Sequence, residues 1–207
     1  TPSSRDTLTA LLWPNNEEQA ARNNLRVALA DLRRVLGEGA TPVLQTTRLT
    51  VQFNAASDAT LDVLAFQQLI ETSNKHQHAS LLSCARCLNH LEQAVALYTG
   101  EFLQGFNLPD SSVFDEWALI QREQLHQMAL EALAVLATAC EQAEDHAAQC
   151  RYARRQIELE PWREGAHAQL MRGLWASGQR AAALEQYDAC CRILDAELGL
   201  GPSPELR

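Results

Sequence analysis

ELEPWREGAHAQLMRGLWASGQRAAALEQYDACCRILDAELG, Glu158 to Gly199, is the stretch whose reading decides the fold. It reads as helix, glycine-marked turn, helix, and it echoes the preceding stretch at an offset of 34 residues. At that offset Leu136 meets Leu170, Cys140 meets Leu174, Cys150 meets Leu184, Ala153 meets Tyr187 and Leu159 meets Ile193. Each pair sets apolar against apolar. A two-helix unit of about 34 residues is the period of tetratricopeptide-type repeats. Such units bury their apolar faces only by stacking, and the stack offers a concave surface to a partner. The period therefore points to a binding protein.

Working outward, the 207 residues allow one or two domains with a sizeable core. A hydrophobic content of 46% with 21% charged residues excludes a disordered chain. No apolar run approaches the roughly 20 residues that span a bilayer, and no signal peptide opens the chain. The first residue is Thr1 and the last is Arg207, which reads as a fragment of something longer. The six cysteines mostly sit in helical patterns among alanines, where a reduced thiol acts as a small apolar group. A reducing, cytoplasmic setting is expected.

The net charge of -9 is unevenly placed. Residues 1–54 hold six Arg and five acidic residues, a net of +1. Residues 55–207 hold 11 basic and 21 acidic residues, a net of -10. Only the first part is compatible with nucleic acid. Sixteen of the 17 basic residues are Arg, which suits bidentate contacts with phosphates, bases and carboxylates.

That first part has its own pattern. SRDTLTALL, from Ser4, predicts a short capped helix, broken by Trp13-Pro14-Asn15-Asn16. A second helix is expected from about Glu17 to Leu36, with Leu25, Leu29, Leu32 and Leu36 on one face and arginines and asparagines on the other. Gly37 and Gly39 end it. Leu49, Val51 and Phe53 then alternate with polar residues, predicting a strand that forms a hairpin with Val43–Gln45 around a tip near Thr46–Arg48. Helix, turn, helix, hairpin is the order of a winged helix-turn-helix. Its second helix would enter the major groove, where Arg reads guanine and Asn reads adenine. Asn23, Asn24, Arg26 and Arg33 are the candidates for base contact, and Arg5, Arg22, Arg34 and Arg48 for phosphate. The bland alternative is an amphipathic helix with a solvated arginine face.

NAASDAT, residues 54–60, is a polar stretch of small residues and the expected domain boundary. From Leu61 onward the pattern is helical: 61–73, then SLLSCARCLNHLEQAVALY, then a long helix from about Val113 to Gln142 with Ser112 and Asp115 as start signals. Helices near 145–159, 162–176 and 180–198 follow.

ALYTGEFLQGF (96–106), FDEW (114–117), EPWREGAHAQLMRGL (160–174), GQRAAALEQY (178–187) and ELGLGPSPEL (197–206) closely resemble the bacterial transcriptional activator domain of antibiotic-regulatory-protein (SARP) regulators. SRDTLTALLW followed by ARNNLRVALADLRRVLG resembles the end of the response-regulator-type winged helix that precedes it there. The resemblance covers residues 4 to 206. It implies a mainly α protein: a tetratricopeptide-like helical array over 61–207, a linker at 55–60, and a partial winged helix-turn-helix of two helices plus a β-hairpin over 1–54. It implies promoter DNA as partner of the N-terminal segment. It implies a protein partner or self-association for the helical repeats, with no membrane. Two departures stand out. The sheet and first helix that open the family's winged helix, roughly 40 residues, have no counterpart here. Gln149 occupies a position where the repeats usually place a small alanine, as Ala183 does one repeat later, so the earlier repeat is expected to pack more loosely.

His76-Gln-His78 followed by Cys84-x-x-Cys87 supplies the donors of a tetrahedral zinc site. The competing reading places Cys84 and Cys87 on one helix face as two small buried residues, with no cofactor. Glu160, Glu164 and His167 have the spacing of a carboxylate–histidine site, but equally of a charged helix edge near a helix N-terminus. No nucleophile elbow or Gly-rich phosphate loop is present in the sequence, and the reading is of a non-enzyme. Trp117, Trp162, Trp175, Phe102, Phe106 and Phe114 are expected as packing residues. The runner-up to a DNA-binding activator is a protein-interaction or oligomerisation module of a larger signalling regulator that does not bind DNA itself.

Overall fold

The structure, a computed structural model, describes residues 2–37, 42–204 and 206. Gly39, the second expected stop of the arginine-bearing helix, lies outside the described residues. The elements in chain order are β1 (Ser3–Ser4), α1 (Arg5–Leu12), α2 (Glu18–Leu36), β2 (Leu44–Thr46), β3 (Thr50–Phe53), α3 (Asp62–Lys75), a short 3-10 turn (Leu81–Ser83), α4 (Ala85–Leu97), α5 (Ser112–Gln142), α6 (His146–Leu159), α7 (Glu164–Ala176) and α8 (Arg180–Leu198). The described residues are mainly helical. They cluster into two compact units, residues 1–62 with 100–125, and residues 63–99 with 126–207.

In the first unit, α1 starts where expected. The Ser4 hydroxyl accepts a hydrogen bond from the Thr7 amide at 2.9 Å, satisfying one of the free donors of the first turn. α2 lays Ala21, Leu25 and Leu29 into the core. Its stripe surfaces further on, where Leu32, Val35 and Leu36 are exposed. Gly37, at φ +76°, ends the helix in a conformation that favours glycine. The hairpin forms as expected, with Leu44 opposite Phe53 and Thr46 opposite Val51. Its tip is a threonine turn, the Thr47 hydroxyl accepting from the Leu49 and Thr50 amides at 3.1 and 2.9 Å. A strand not foreseen, β1, pairs with β3 on the other side, giving an antiparallel sheet of order β1-β3-β2.

Residues 100–125 belong to the same unit. Leu103 and Gly105 take left-handed backbone at φ 51° and 73°. The loop around them is held by one guanidinium: Arg122 donates from Nε to Phe102 O at 2.7 Å, and from Nη2 to Leu103 O and Phe106 O at 3.0 and 3.1 Å. Phe102, Phe106, Phe114 and Trp117 pack ring on ring, with centroids 5.5 to 5.8 Å apart. The start of α5 corrects one expectation. Buried Ser111, not Ser112, caps it: the Ser111 hydroxyl accepts from Phe114 N at 3.1 Å and donates to Leu11 O at 2.6 Å.

In the second unit α6 packs on α7 and α7 on α8. Leu130, Leu136, Ala153, Leu170, Leu174, Cys190 and Leu194 form its interior. The 34-residue echo holds at the level of single hydrogen bonds. In the earlier turn Ala143 N donates to Ala139 O, Glu144 N to Glu141 O and Asp145 N to Cys140 O. In the later turn Ser177 N donates to Gly173 O, Gly178 N to Trp175 O and Gln179 N to Leu174 O, each 34 positions on. Glu144 at φ 57° and Gly178 at φ 80° hold the equivalent left-handed position. The echo is less faithful in burial. Leu136 and Leu170 are both buried, whereas Cys150 is buried and its counterpart Leu184 is exposed.

The expected looseness around Gln149 is not found. Gln149 is fully buried and donates from Nε2 to Gln169 O at 2.9 Å. Gln169 in turn accepts from Gln156 at 2.8 Å and donates to Thr138 Oγ1 at 2.9 Å. A fully satisfied polar network of this kind rigidifies a core. Space for the large side chain comes from Gly173 on α7. A Cβ there would meet Gln149 Cδ at 3.1 Å and Cys150 Sγ at 2.7 Å.

Candidate functional site

The first candidate site is the arginine-bearing flank of α2, about 20–60° round the helix from buried Leu29, with the hairpin beside it. At about 100° per residue, Arg22, Arg26 and Arg33 fall within about 40° of one another on the helix. All three are exposed. Arg26 donates from Nη2 to Asn23 Oδ1 at 2.8 Å, so the best candidate pair for base contact is already joined. Asn24 points about 160° away from Arg26 and is half-buried, so it does not share that face.

The remaining arginines divide by what holds them. Arg33 bonds from Nη2 to Thr46 Oγ1, joining α2 to β2. Arg5 donates from its backbone to Leu49 O at 2.8 Å and from Nε to Thr47 O at 3.0 Å, so it builds the hairpin tip. Arg22 pairs with Asp6 at 3.2 Å and Glu18 at 2.7 Å, and Arg34 with Asp31 at 2.8 Å. These exposed pairs contribute little to stability, about 0–1 kcal/mol each. Arg48 is exposed at the hairpin tip beside exposed Leu49.

The second candidate site is the group His76, His78, Cys84 and Cys87, whose donor atoms all lie within 4.8 Å of one another. Sequence placed Cys84 and Cys87 on one helix face. In the structure Cys84 is the N-cap of α4, outside the helix, with extended backbone. That frees its thiol to turn toward the histidines. Hydrogen bonds from the backbone and side chain of Cys87 lower the Cys84 pKa, whereas burial raises that of Cys87.

Glu160, Glu164 and His167 are each taken up in packing. His167 is fully buried, its Nε2 bonded to Pro161 O at 2.8 Å and its Nδ1 to Gln186 Nε2 at 2.6 Å. A carbonyl only accepts, so Nε2 carries the proton. Glu160 pairs with Arg163 at 3.2 Å and accepts from Trp162 Nε1 at 3.1 Å. Glu164 accepts from the Ser203 amide at 2.8 Å and so holds the C-terminal segment. The block EPWREGAH is thereby explained as structure. Of the aromatics expected in packing, Phe106, Trp117, Trp162 and Trp175 keep exposed surface, with Arg180 stacked over Trp175 at 4.9 Å.

Residues 61–207 match the family described as the bacterial transcriptional activator domain. The chain belongs to that family. Among relatives of this activator domain, the regulatory protein AfsR of Streptomyces griseus is 27% identical over 221 residues. The match covers 99% of this chain and 21% of AfsR. Among solved structures, Mycobacterium tuberculosis EmbR in complex with a low affinity phosphopeptide gives a TM-score of 0.65 at 21% identity. It covers 100% of this chain and 53% of EmbR, and at that identity the likeness is one of fold. The chain thus spans about a fifth of AfsR and about half of EmbR. The family is one of transcriptional regulators. No helix among the described residues is long and apolar enough to cross a membrane.

Proposed function

We propose that this chain is part of a DNA-binding transcriptional activator, in which residues 1–54 act as a winged helix and residues 61–207 as a tetratricopeptide-like regulatory array. The observation that carries this reading is the exposed Arg22–Arg26–Arg33 stripe on α2, next to a hairpin with Arg48 at its tip. α2 would lie in the major groove, Arg26 and Asn23 reading base edges, and Arg48 on the wing meeting phosphate or the minor groove. Arg22 and Arg34 would trade their exposed carboxylate partners for phosphates. Arg33 and Arg5 position the wing against the helix.

The acidic helical array has no bulk attraction to DNA, so its partner is read as protein or as a second copy. Exposed Trp175 and Leu184 support that reading, since large apolar side chains left in water favour protein contacts. EmbR was solved with a phosphopeptide, which supports a protein partner for this family member too. The second reading, an interaction module without DNA binding, is favoured by the modest net charge of +1 over residues 1–54. A mobility-shift assay of the full-length gene product on the DNA upstream of its own gene separates them. A salt-sensitive shift that survives competitor DNA supports the activator reading. No shift above that of unrelated DNA overturns it.

A further inference from the structure

His76 follows directly on α3, its amide donating to Thr72 O at 3.1 Å. The chain then loops back through the 3-10 turn at Leu81–Ser83, and Cys84 N donates to Leu81 O at 3.1 Å. This fold-back sets the His-x-His pair over the Cys-x-x-Cys pair that opens α4. Cys84 Sγ lies 3.5 Å from His76 Nδ1. Cys87 Sγ lies 3.2 Å from His76 Nδ1 and 3.8 Å from His78 Nδ1. The two imidazoles stand 5.7 Å apart at centroid, tilted by 30°.

These separations have a specific meaning. Zinc binds sulfur at about 2.3 Å and imidazole nitrogen at about 2.0 Å, in tetrahedral geometry. The edges of that tetrahedron are about 3.5 Å from S to N, about 3.8 Å from S to S and about 3.3 Å from N to N. The three observed S···N distances bracket the first value. The other polar side chains between α3 and Cys84, Gln77, Ser80 and Ser83, are exposed, so convergence is confined to the four metal donors. Packing of two small residues on a helix face does not account for it, because Cys84 is outside the helix.

We propose that His76, His78, Cys84 and Cys87 bind one zinc ion that ties the end of α3 to the start of α4. Two thiolates and two imidazoles are soft and borderline donors that select zinc over magnesium or calcium. Four protein ligands leave no open position, so the site is structural. Binding converts two thiols to zinc-bound thiolates and releases two protons to solvent, with no change of oxidation state.

The test uses the whole chain, purified without a polyhistidine tag under reducing, zinc-replete conditions. Elemental analysis is expected to give one zinc per chain after dialysis. Exchange for cobalt is expected to give a thiolate-to-cobalt charge-transfer band and the intense visible bands of a tetrahedral site. Cys87 is fully buried, so its replacement tests folding as much as binding. His78 is exposed, and His78→Ala is the informative variant. It is expected to keep its helical circular dichroism while losing stoichiometric zinc and altering the cobalt spectrum. Sub-stoichiometric zinc, a cobalt spectrum without the thiolate band, or full zinc retention with an unchanged cobalt spectrum in His78→Ala would each overturn the proposal. So would a Cys84–Cys87 disulfide in place of metal.

Discussion

Gly173 faces Gln149 so closely that a single methyl group on it would reach within 3.1 Å of the amide carbon of the glutamine, and within 2.7 Å of the neighbouring Cys150 sulfur. A large polar residue and an absent side chain thus complement each other across α6 and α7. Gly173→Ala is expected to destabilise by about 1–3 kcal/mol, overpacking outweighing a helix-propensity gain of about 1 kcal/mol. Urea unfolding measures it. Adding Cys150→Ala, which removes the nearest atom, should recover part of the loss; strictly additive effects would contradict the contact.

Glu144 and Gly178 occupy equivalent left-handed positions 34 residues apart, and only one of them is a glycine. A side chain in that conformation costs about 1–2 kcal/mol, partly offset by the greater backbone entropy that glycine loses on folding. Glu144→Gly is therefore expected to be neutral to stabilising, by up to about 1 kcal/mol, and Gly178→Glu destabilising. Paired thermal melts check the opposite signs.

Arg122 binds three carbonyls of the loop that carries Phe102, Leu103 and Phe106. Hydrogen bonds to a charged group contribute about 1.5–3 kcal/mol each, and they share one side chain. Arg122→Ala is expected to cost about 2–4 kcal/mol. Arg122→Lys should rescue less than half of that, since a point charge cannot reproduce the planar fork. Full rescue by lysine would mean that charge alone holds the loop.

Cys190 is fully buried, and burial, reinforced by the charge of Glu164, pushes its thiol up to about 11 from 9.0. The folded state therefore holds this proton more tightly than the unfolded chain. Its contribution to stability is complete below pH 9 and is lost as pH rises toward about 11. A thiol reagent at neutral pH should label Cys190 only on unfolding, as read by mass spectrometry of the labelled peptides. Labelling as fast as that of partly exposed Cys191 would contradict this burial.

Much of this was legible in the sequence, because periodicity reports directly on helices. α1, α2 and the hairpin follow from their apolar spacing, and the 34-residue echo foretold two turns that match bond for bond. What escaped was set by tertiary contacts. β1 is two serines with no strand signal of their own, and exists by pairing with β3. Ser111 rather than Ser112 caps α5, its hydroxyl fixed by a bond to Leu11 O, 100 positions away. The size of Gln149 is a packing defect on sequence alone, because the glycine that makes room for it, Gly173, lies 24 positions on. Cys84 looked helical because Ala85–Leu97 is, yet the 3-10 turn before it lifts it out of the helix. For the arginine face the sequence named the residues, but their existing partners, Asp6, Glu18, Asn23, Asp31 and Thr46, appear only in three dimensions.

Under the proposed function, α2 reads DNA through Arg26. The most direct measurement is a salt series of binding isotherms for the full-length gene product, wild type and Arg26→Ala, on its own upstream DNA and on unrelated DNA. Arg26→Ala is expected to lose about 1–3 kcal/mol on the specific site, with a smaller loss on unrelated DNA and relaxed discrimination between the two. Unchanged affinity and unchanged salt slope on both DNAs would contradict it.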